Sequence, residues 1–291
     1  MPNINYIVRR LKTFLNPFEF IKVFRSILHL NAYKLLTELK ADPKYNDPKC
    51  LIRYGNRVYS QNDEDGIIQE IFKRIGTKHK NFLEFGVGNG LENNTLALLF
   101  DNWSGVWIEG SSAMCDKINK GFSKTISSGQ LKIVNAMLTC ENINQVIGNC
   151  FEENKREIDL LSVDVDGNDY HLIEAITVIN PRVIIAEYNS KFAPPLEYCM
   201  SYNPTHAWLG NDTYGASLKF YETHLNKKGY SLVGTNIAGF NAFFVRNDLI
   251  EKKFYEPFTA ENHYESFKRT VVPLSGHKPT YETLESRLIQ G

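Results

Sequence analysis

The stretch SVDVDGNDY, residues 162–170, sets three aspartates, Asp164, Asp166 and Asp169, within six positions. Carboxylates this close raise one another's pKa, because ionising one disfavours ionising the next. One of them is thereby improved as a base toward a weakly acidic hydroxyl. The same oxygens can instead hold a divalent cation that lowers the pKa of the hydroxyl itself. Further along, VIIAEYNS offers Glu187 and Asn189, which with Asp164 make an all-oxygen set suited to Mg²⁺ or Ca²⁺. The plain alternative is an Asp-rich turn ahead of a helix, with Asp169 as its cap. That alternative suits Asp169 and leaves Asp164 and Asp166 without a role.

A second constellation lies upstream. In FLEFGVGNGLENNT, residues 82–95, Gly86, Gly88 and Gly90 follow an apolar run that contains Glu84. Glycines after a strand let the backbone approach a ligand, and the next helix presents free N–H groups. The dinucleotide fingerprint would need its third glycine at position 91, which is Leu91. A carboxylate two residues before the first glycine repels a pyrophosphate and suits a cationic ligand. S-adenosylmethionine carries an ammonium and a sulfonium and no phosphate, so it fits that charge. Glu109 ends the next apolar run, GVWIEG, where an acid can accept hydrogen bonds from both ribose hydroxyls; NAD-binding folds use the same device, so Glu109 points to an adenosine ligand without choosing between the two. Asn135, at the end of LKIVN, could bond an adenine edge, although asparagine is also a common turn residue.

These residues need a scaffold that gathers strand ends. Short continuous apolar runs (NFLEFGVG, SGVWIEG, LKIVNAML, DLLSVDVDG, PRVIIAEYN) alternate with segments of helical spacing. Runs of that kind are expected where helices cover both faces of a parallel sheet. The tail adds a helix, GASLKFYETHLNKKGY, and two strands, SLVGTN and NAFFVRNDL, joined by a glycine-containing loop and expected to pair antiparallel. The fold class is therefore α/β: a Rossmann-like, doubly wound, mostly parallel sheet with an antiparallel C-terminal strand. An N-terminal helical extension precedes it.

That extension, residues 1–50, is unlike the rest. Pro17 is placed to start a helix after Asn16, and through Lys40 seven basic residues face two acidic ones, a local balance of +5. Such a segment can lie on an anionic membrane, pack on the main domain, or join a second subunit. ADPKYNDPKC, residues 41–50, reads as a linker. The main domain is expected over 51–291, with residues 190–217 as a long aromatic and proline-rich insertion. An insertion of that length is expected to be functional, here as a lid over the acceptor. It contains His206, a candidate base, and Tyr202, Trp208 and Tyr214, which could stack on sugar faces or simply pack the lid. In SQNDEDG, Ser60 and Gln61 are placed to close over the methionine end of the cofactor, while the acids read as a helix start.

Composition excludes some classes. Lysine plus arginine equals aspartate plus glutamate, 33 against 33, which argues against a general nucleic-acid binder. The five cysteines are odd in number and lack C-x-x-C spacing, as expected of reduced thiols in a cytoplasmic protein. No apolar run is long enough to span a bilayer, and the first residues lack a secretory-signal pattern.

The chain resembles the FkbM-like methyltransferases, within the wider S-adenosylmethionine-dependent group that has a Rossmann-like sheet. The resemblance rests on SQNDEDGIIQEIF, FLEFGVGNG, WSGVWIEG, LLSVDVDGNDYHLIEAI, VIIAEYN and KKGYSLVGTNIAGFNAFFVRNDL, and on their order and spacing over residues 55–250. It implies that Glu84, Gly86, Gly88 and Gly90 form the first cofactor motif, Glu109 the ribose acid and Asn135 the adenine-side position. It also implies O-methylation of a sugar or polyketide product. Asp164 and Asp166 stand where that family has a D-x-E-G acid pair. They are also similar to the D-G-D-x-Y segment of the macrocin-type O-methyltransferases, which use a divalent cation. The expected protein is thus a cytoplasmic enzyme, or one peripheral to the inner membrane face. It would take S-adenosylmethionine, with Mg²⁺ as a second candidate, and a small-molecule or glycan acceptor. Its rivals are an NAD-dependent oxidoreductase and a non-catalytic, membrane-associated binding module.

Overall fold

The computed structural model describes residues 17–151, 157–208, 210–268, 272 and 278–290. Seven strands run β1 Asn81–Phe85, β2 Ser104–Glu109, β3 Leu131–Asn135, β4 Glu157–Val163, β5 Asn180–Glu187, β6 Tyr230–Thr235 and β7 Asn241–Arg246. The helices are α1 Pro17–Lys40, α2 Glu64–Ile75, α3 Leu96–Leu99, α4 Ser112–Gly121 and α5 Ser123–Ser127, then α6 Ile143–Gly148, α7 Asp169–Ala175, α8 Leu218–Lys227, α9 Ala260–His263 and α10 Tyr281–Gln290.

The strands form one sheet in the order β3-β2-β1-β4-β5-β7-β6. β1 to β5 are mutually parallel, and β7 runs antiparallel to both β5 and β6. The expected single antiparallel strand is therefore present. It lies inside the sheet edge, between β5 and β6, because the hairpin folds back onto β5. The order reverses between β1 and β4, which makes their carboxyl ends the switch point where an open α/β sheet binds ligands.

The continuous apolar runs have the expected cause. Along β5, Ile184 and Ala186 join one core cluster while Val183 and Ile185 join the other, so both faces of the strand are buried. α2 covers one face through Ile67, Ile68, Ile71 and Phe72, and stops at Gly76, whose φ is 69°. α8 covers the other through Leu218, Tyr221 and Leu225, with the Ser217 side chain accepting from the Phe220 N–H as its cap.

Two expectations about the N-terminal part are refined. α1 does begin at Pro17, while residues 1–16 lie outside the described residues. The stretch 41–50 is no free linker. Tyr45 and Cys50 are buried with Ile237 and Ala238, and the Tyr45 hydroxyl donates to Glu265 Oε1 at 2.6 Å. Prolines and charges marked a break in helical pattern, but the two apolar residues between them attach it to the β6–β7 hairpin.

Candidate functional site

Register assembles the candidate residues. Phe85 pairs with Ile108 on one side and Val163 on the other, and Val163 pairs with Ala186. One residue further along each parallel strand stand Glu109, Gly86, Asp164 and Glu187. Glu109 pairs with Asn135, and Glu187 with Asn241. Asn135, Glu109, Gly86, Asp164, Glu187 and Asn241 thus form a single row across the carboxyl edge of the sheet.

The glycines in the first turn have separate causes. Gly86 has φ 73°, and a Cβ there would lie 1.7 Å from the Asp164 carbonyl oxygen, so the bare backbone lets the ends of β1 and β4 meet. Gly88 has φ 55° and nothing within 4 Å of where a Cβ would stand; its face is open. A Cβ on Gly90 would press on Trp107 and Ile118, so that position serves helix packing.

Glu84 was expected to face a cationic ligand, and the structure turns it inward. Its buried carboxylate accepts from the Asn94 N–H at 2.9 Å, the Thr95 N–H at 3.2 Å, the Thr95 hydroxyl at 2.5 Å and the Ser162 hydroxyl at 3.3 Å. Burial still pushes its pKa up to about 7 against those bonds. Glu84 therefore fixes the entry to α3. Glu109, half-buried at the end of β2, accepts from the Gly88 N–H and the Ser111 N–H, both at 2.8 Å, and ties the glycine turn to its own strand. Asn135 is exposed and donates its amide to the Glu109 and Gly110 carbonyls.

At β4 and β5 the acids behave differently. Asp164, Asp166 and Glu187 each bring a carboxylate oxygen within 4.8 Å of the other two. None of these three carboxylates accepts a hydrogen bond from a described residue. Burial lifts the Asp164 pKa well above the usual range, and Asp169, Asp166, Glu84 and Glu64 raise it further by repulsion. Glu187 is raised the same way, by burial first and then by Asp164, Asp169 and Asp166. Asp166 holds φ 57°, a left-handed conformation that is unusual for a residue with a Cβ. Asp169 closes the turn instead: its carboxylate accepts from the Val165 N–H at 2.8 Å and the Gly167 N–H at 2.9 Å. That is the structural role expected of it, exercised as the first residue of α7 and not as its cap.

Asn189, expected as an oxygen donor beside Asp164 and Glu187, has its amide engaged elsewhere. Its Nδ2 donates to the Asp212 and Tyr214 carbonyls at 2.9 and 3.0 Å, and its Oδ1 accepts from the Lys191 N–H. It anchors the insertion, and Asp166 is the further acid that stands with Asp164 and Glu187. The rest of the insertion is pinned to the same turn. Asn168 and Asn203 exchange side-chain and backbone bonds, and the Gly215 N–H donates to the Gly167 carbonyl. A Cβ on Gly167 would meet the His206 ring at 2.4 Å, so His206 lies directly on the Asp166–Gly167 turn, with its Nε2 buried and without a partner among the described residues.

The aromatics divide. Tyr202 donates to Glu141 at 2.7 Å and accepts from the Cys140 N–H, which fastens the insertion to the body; exposed Trp208 donates to the Asn211 carbonyl. Tyr214 is half-buried, and burial raises its pKa, with repulsion from Glu187, Asp169, Asp164 and Asp166 adding to the shift. Ser60 is fully buried and donates to Asp65 Oδ2 at 2.8 Å, so it shapes the entry to α2; neighbouring Gln61 is exposed.

Two asparagines were missed. Asn93 is buried in the turn before α3 with neither its Nδ2 nor its Oδ1 bonded, and buried Asn241 has an unbonded Oδ1. A buried amide left unpaired costs about 1–3 kcal/mol per group, so a bound polar partner is expected at each. No spacing marks Asn93 in ENNT, although its place after the glycines was a usable signal.

No protein-family model matches the chain, and neither does any curated protein. Among solved structures it is similar to a provisionally assigned caffeoyl-CoA O-methyltransferase from Staphylococcus aureus, at 14% identity over 84% of this chain and 100% of that one, with a TM-score of 0.44. An O-methyltransferase from Bacillus cereus in complex with S-adenosylhomocysteine is 17% identical over 74% of this chain and 89% of its own, with a TM-score of 0.43. A glycopeptide N-methyltransferase, also bound to S-adenosylhomocysteine, is 14% identical over 67% and 95%, with a TM-score of 0.39. All three are distant likenesses, and none assigns a reaction to this chain.

Proposed function

We propose that the chain is an S-adenosylmethionine-dependent O-methyltransferase whose acceptor is a hydroxyl of a sugar, glycan or nucleotide-sugar. The observation that carries this reading is the row of acids, Glu109, Asp164 and Glu187, along the carboxyl edge at the switch point. The sheet order departs from the 3-2-1-4-5-6 of dinucleotide-binding folds by the inserted β7, which stands against the NAD rival.

The residues fit the cofactor on three counts. Gly88 leaves open space beside the turn, the Asn93 amide is buried with both ends unpaired, and Glu109 retains lone pairs beyond the two N–H bonds it accepts. When bound, S-adenosylmethionine supplies an electrophilic methyl group on sulfur. Gly88, Asn93 and Glu109 would hold it, and the pinned 190–217 segment would cover the acceptor and exclude water. Asp164, Asp166 and Glu187 would orient the acceptor hydroxyl and receive its proton; His206, lying on the Asp166 turn, is the second group able to take it.

The acid cluster also fits a divalent cation. Three oxygens that all lie within 4.8 Å of one another need to close by only a few tenths of an ångström, roughly, to share a Ca²⁺ ion at ~2.3–2.6 Å, and by more for Mg²⁺. A cation there would lower the pKa of a bound hydroxyl. Asp164, Asp166 and Glu187 would hold it.

Calorimetry of the purified chain tests the reading. S-adenosylhomocysteine should bind and NAD should not, and Glu109→Ala should weaken binding by about 1.5–3 kcal/mol, as for the loss of hydrogen bonds to a charged group. Binding of NAD with no response to S-adenosylhomocysteine would overturn it.

A further inference from the structure

α1 has two stripes. Phe20, Ile21, Phe24, Ile27 and Leu28 recur at the spacing of one helix face, whereas Lys22, Arg25, Ser26 and His29 recur on the opposite one. All nine are exposed. Phe20 is 68% exposed; Leu30 and Tyr33, at 69% and 65%, are exposed as well but turn away from that stripe. The last turn, by contrast, is rooted. Leu36 and Leu39 pack against the Tyr45–Ile237 cluster, and Lys40 Nζ donates to the Gly55 carbonyl at 2.6 Å. Helix α1, 24 residues and therefore about 36 Å long, is thus fastened at its C-terminal end and exposed from Phe20 to Leu30.

Exposed apolar side chains in such a contiguous run mark a contact surface. No helix among the described residues is long and apolar enough to cross a membrane. An amphipathic helix with aromatic and aliphatic residues on one face and cations on the other has the composition of a segment that lies in the interface plane. We propose that α1 docks the protein on an anionic phospholipid surface, with Phe20, Phe24, Ile27 and Leu28 entering the acyl boundary and Lys22 and Arg25 meeting headgroup phosphates.

Charge selects the lipid over a second copy of the chain. Over residues 1–30 the sequence carries Arg9, Arg10, Lys12, Lys22 and Arg25 against Glu19 alone. Two such segments brought side by side repel, whereas an anionic leaflet attracts each cation. The inference does not rest on the methyltransferase reading.

Flotation of the full chain with vesicles tests it, using phosphatidylcholine alone and equal parts of phosphatidylcholine and phosphatidylglycerol. The chain should float with the anionic vesicles, float weakly with the neutral ones, and be released by salt. Phe24→Ser with Leu28→Ser should weaken flotation at least about tenfold, and Lys22→Gln with Arg25→Gln should do so by a similar factor on anionic vesicles alone. These side chains are exposed, so melting temperatures should match the parent; should the first pair melt lower, the second pair decides. Absence of flotation, or flotation indifferent to both pairs, overturns the proposal. So does a concentration-dependent dimer in sedimentation that Phe24→Ser with Leu28→Ser dissociates, since the face would then belong to a second copy.

Discussion

The two halves of the carboxyl edge hold the same residue type in opposite states. On the β1–β2 side, Glu84 and Glu109 accept six hydrogen bonds between them, five of the donors lying in the turns that follow those strands. On the β4–β5 side, Asp164, Asp166 and Glu187 have no described donor and crowd within 4.8 Å. The first arrangement is an ordinary solution for buried charge, a carboxylate satisfied by N–H groups. The second is costly in a bare fold and makes sense if a proton, a cation or an acceptor hydroxyl completes it. On the proposed reading, the β1–β2 acids shape the site and the β4–β5 acids are its reactive part.

Breaking each half should therefore have different consequences. Asp164→Asn should lower turnover by about 10²–10⁴-fold, the usual range for lost general-base help, with cofactor affinity unchanged by calorimetry. Near-normal turnover in that variant would return Asp164 to a structural role.

The glycine turn gives a sharper contrast. Gly86→Ala places a methyl group on the Asp164 carbonyl and should fail to fold or melt far lower. Gly88→Ala meets open space and should lose only about 1 kcal/mol of stability from its left-handed backbone, while weakening S-adenosylhomocysteine binding. If both variants melt alike, the two glycines do not differ as described.

A further contrast lies in pH dependence. Asp169 titrates near about 6 and Glu84 near about 7, both raised chiefly by burial, and Asp164 and Glu187 are raised as well. A raised carboxyl pKa means the folded state binds protons more tightly than the unfolded one. Stability from these groups is then full below their ordinary values and is lost as pH rises through the folded ones. Without added cation, the melting temperature should fall from pH 5 to pH 8. Mg²⁺ or Ca²⁺ at pH 8 should restore it, by about 2.7 kcal/mol at a hundred times its Kd, and should do nothing in Asp164→Asn. A melting temperature that rises steadily to pH 8, with no response to either cation, would remove the cation from the site.

Local pattern determined much of this protein. The five parallel strands, their helices, the C-terminal hairpin and the start of α1 at Pro17 follow from apolar runs, glycine stops and a proline, all of which act within a few residues. The clustering of Asp164 with Asp166, and the position of Glu187 at a strand end, were readable for the same reason. Tertiary structure alone decided the rest. Whether Glu84 faces a ligand or the α3 turn depends on where Asn94, Thr95 and Ser162 come to lie, the last of them 78 residues away. Asn189 is tied to the insertion because the Asp212 and Tyr214 carbonyls fold back onto its amide, and Asp166 stands beside Asp164 and Glu187 on a turn with a left-handed backbone. Asn93 became notable only when packing buried its amide without a partner. Periodicity specifies which face of a segment is buried, but not which distant group meets it there, and a polar side chain's role is set by that partner.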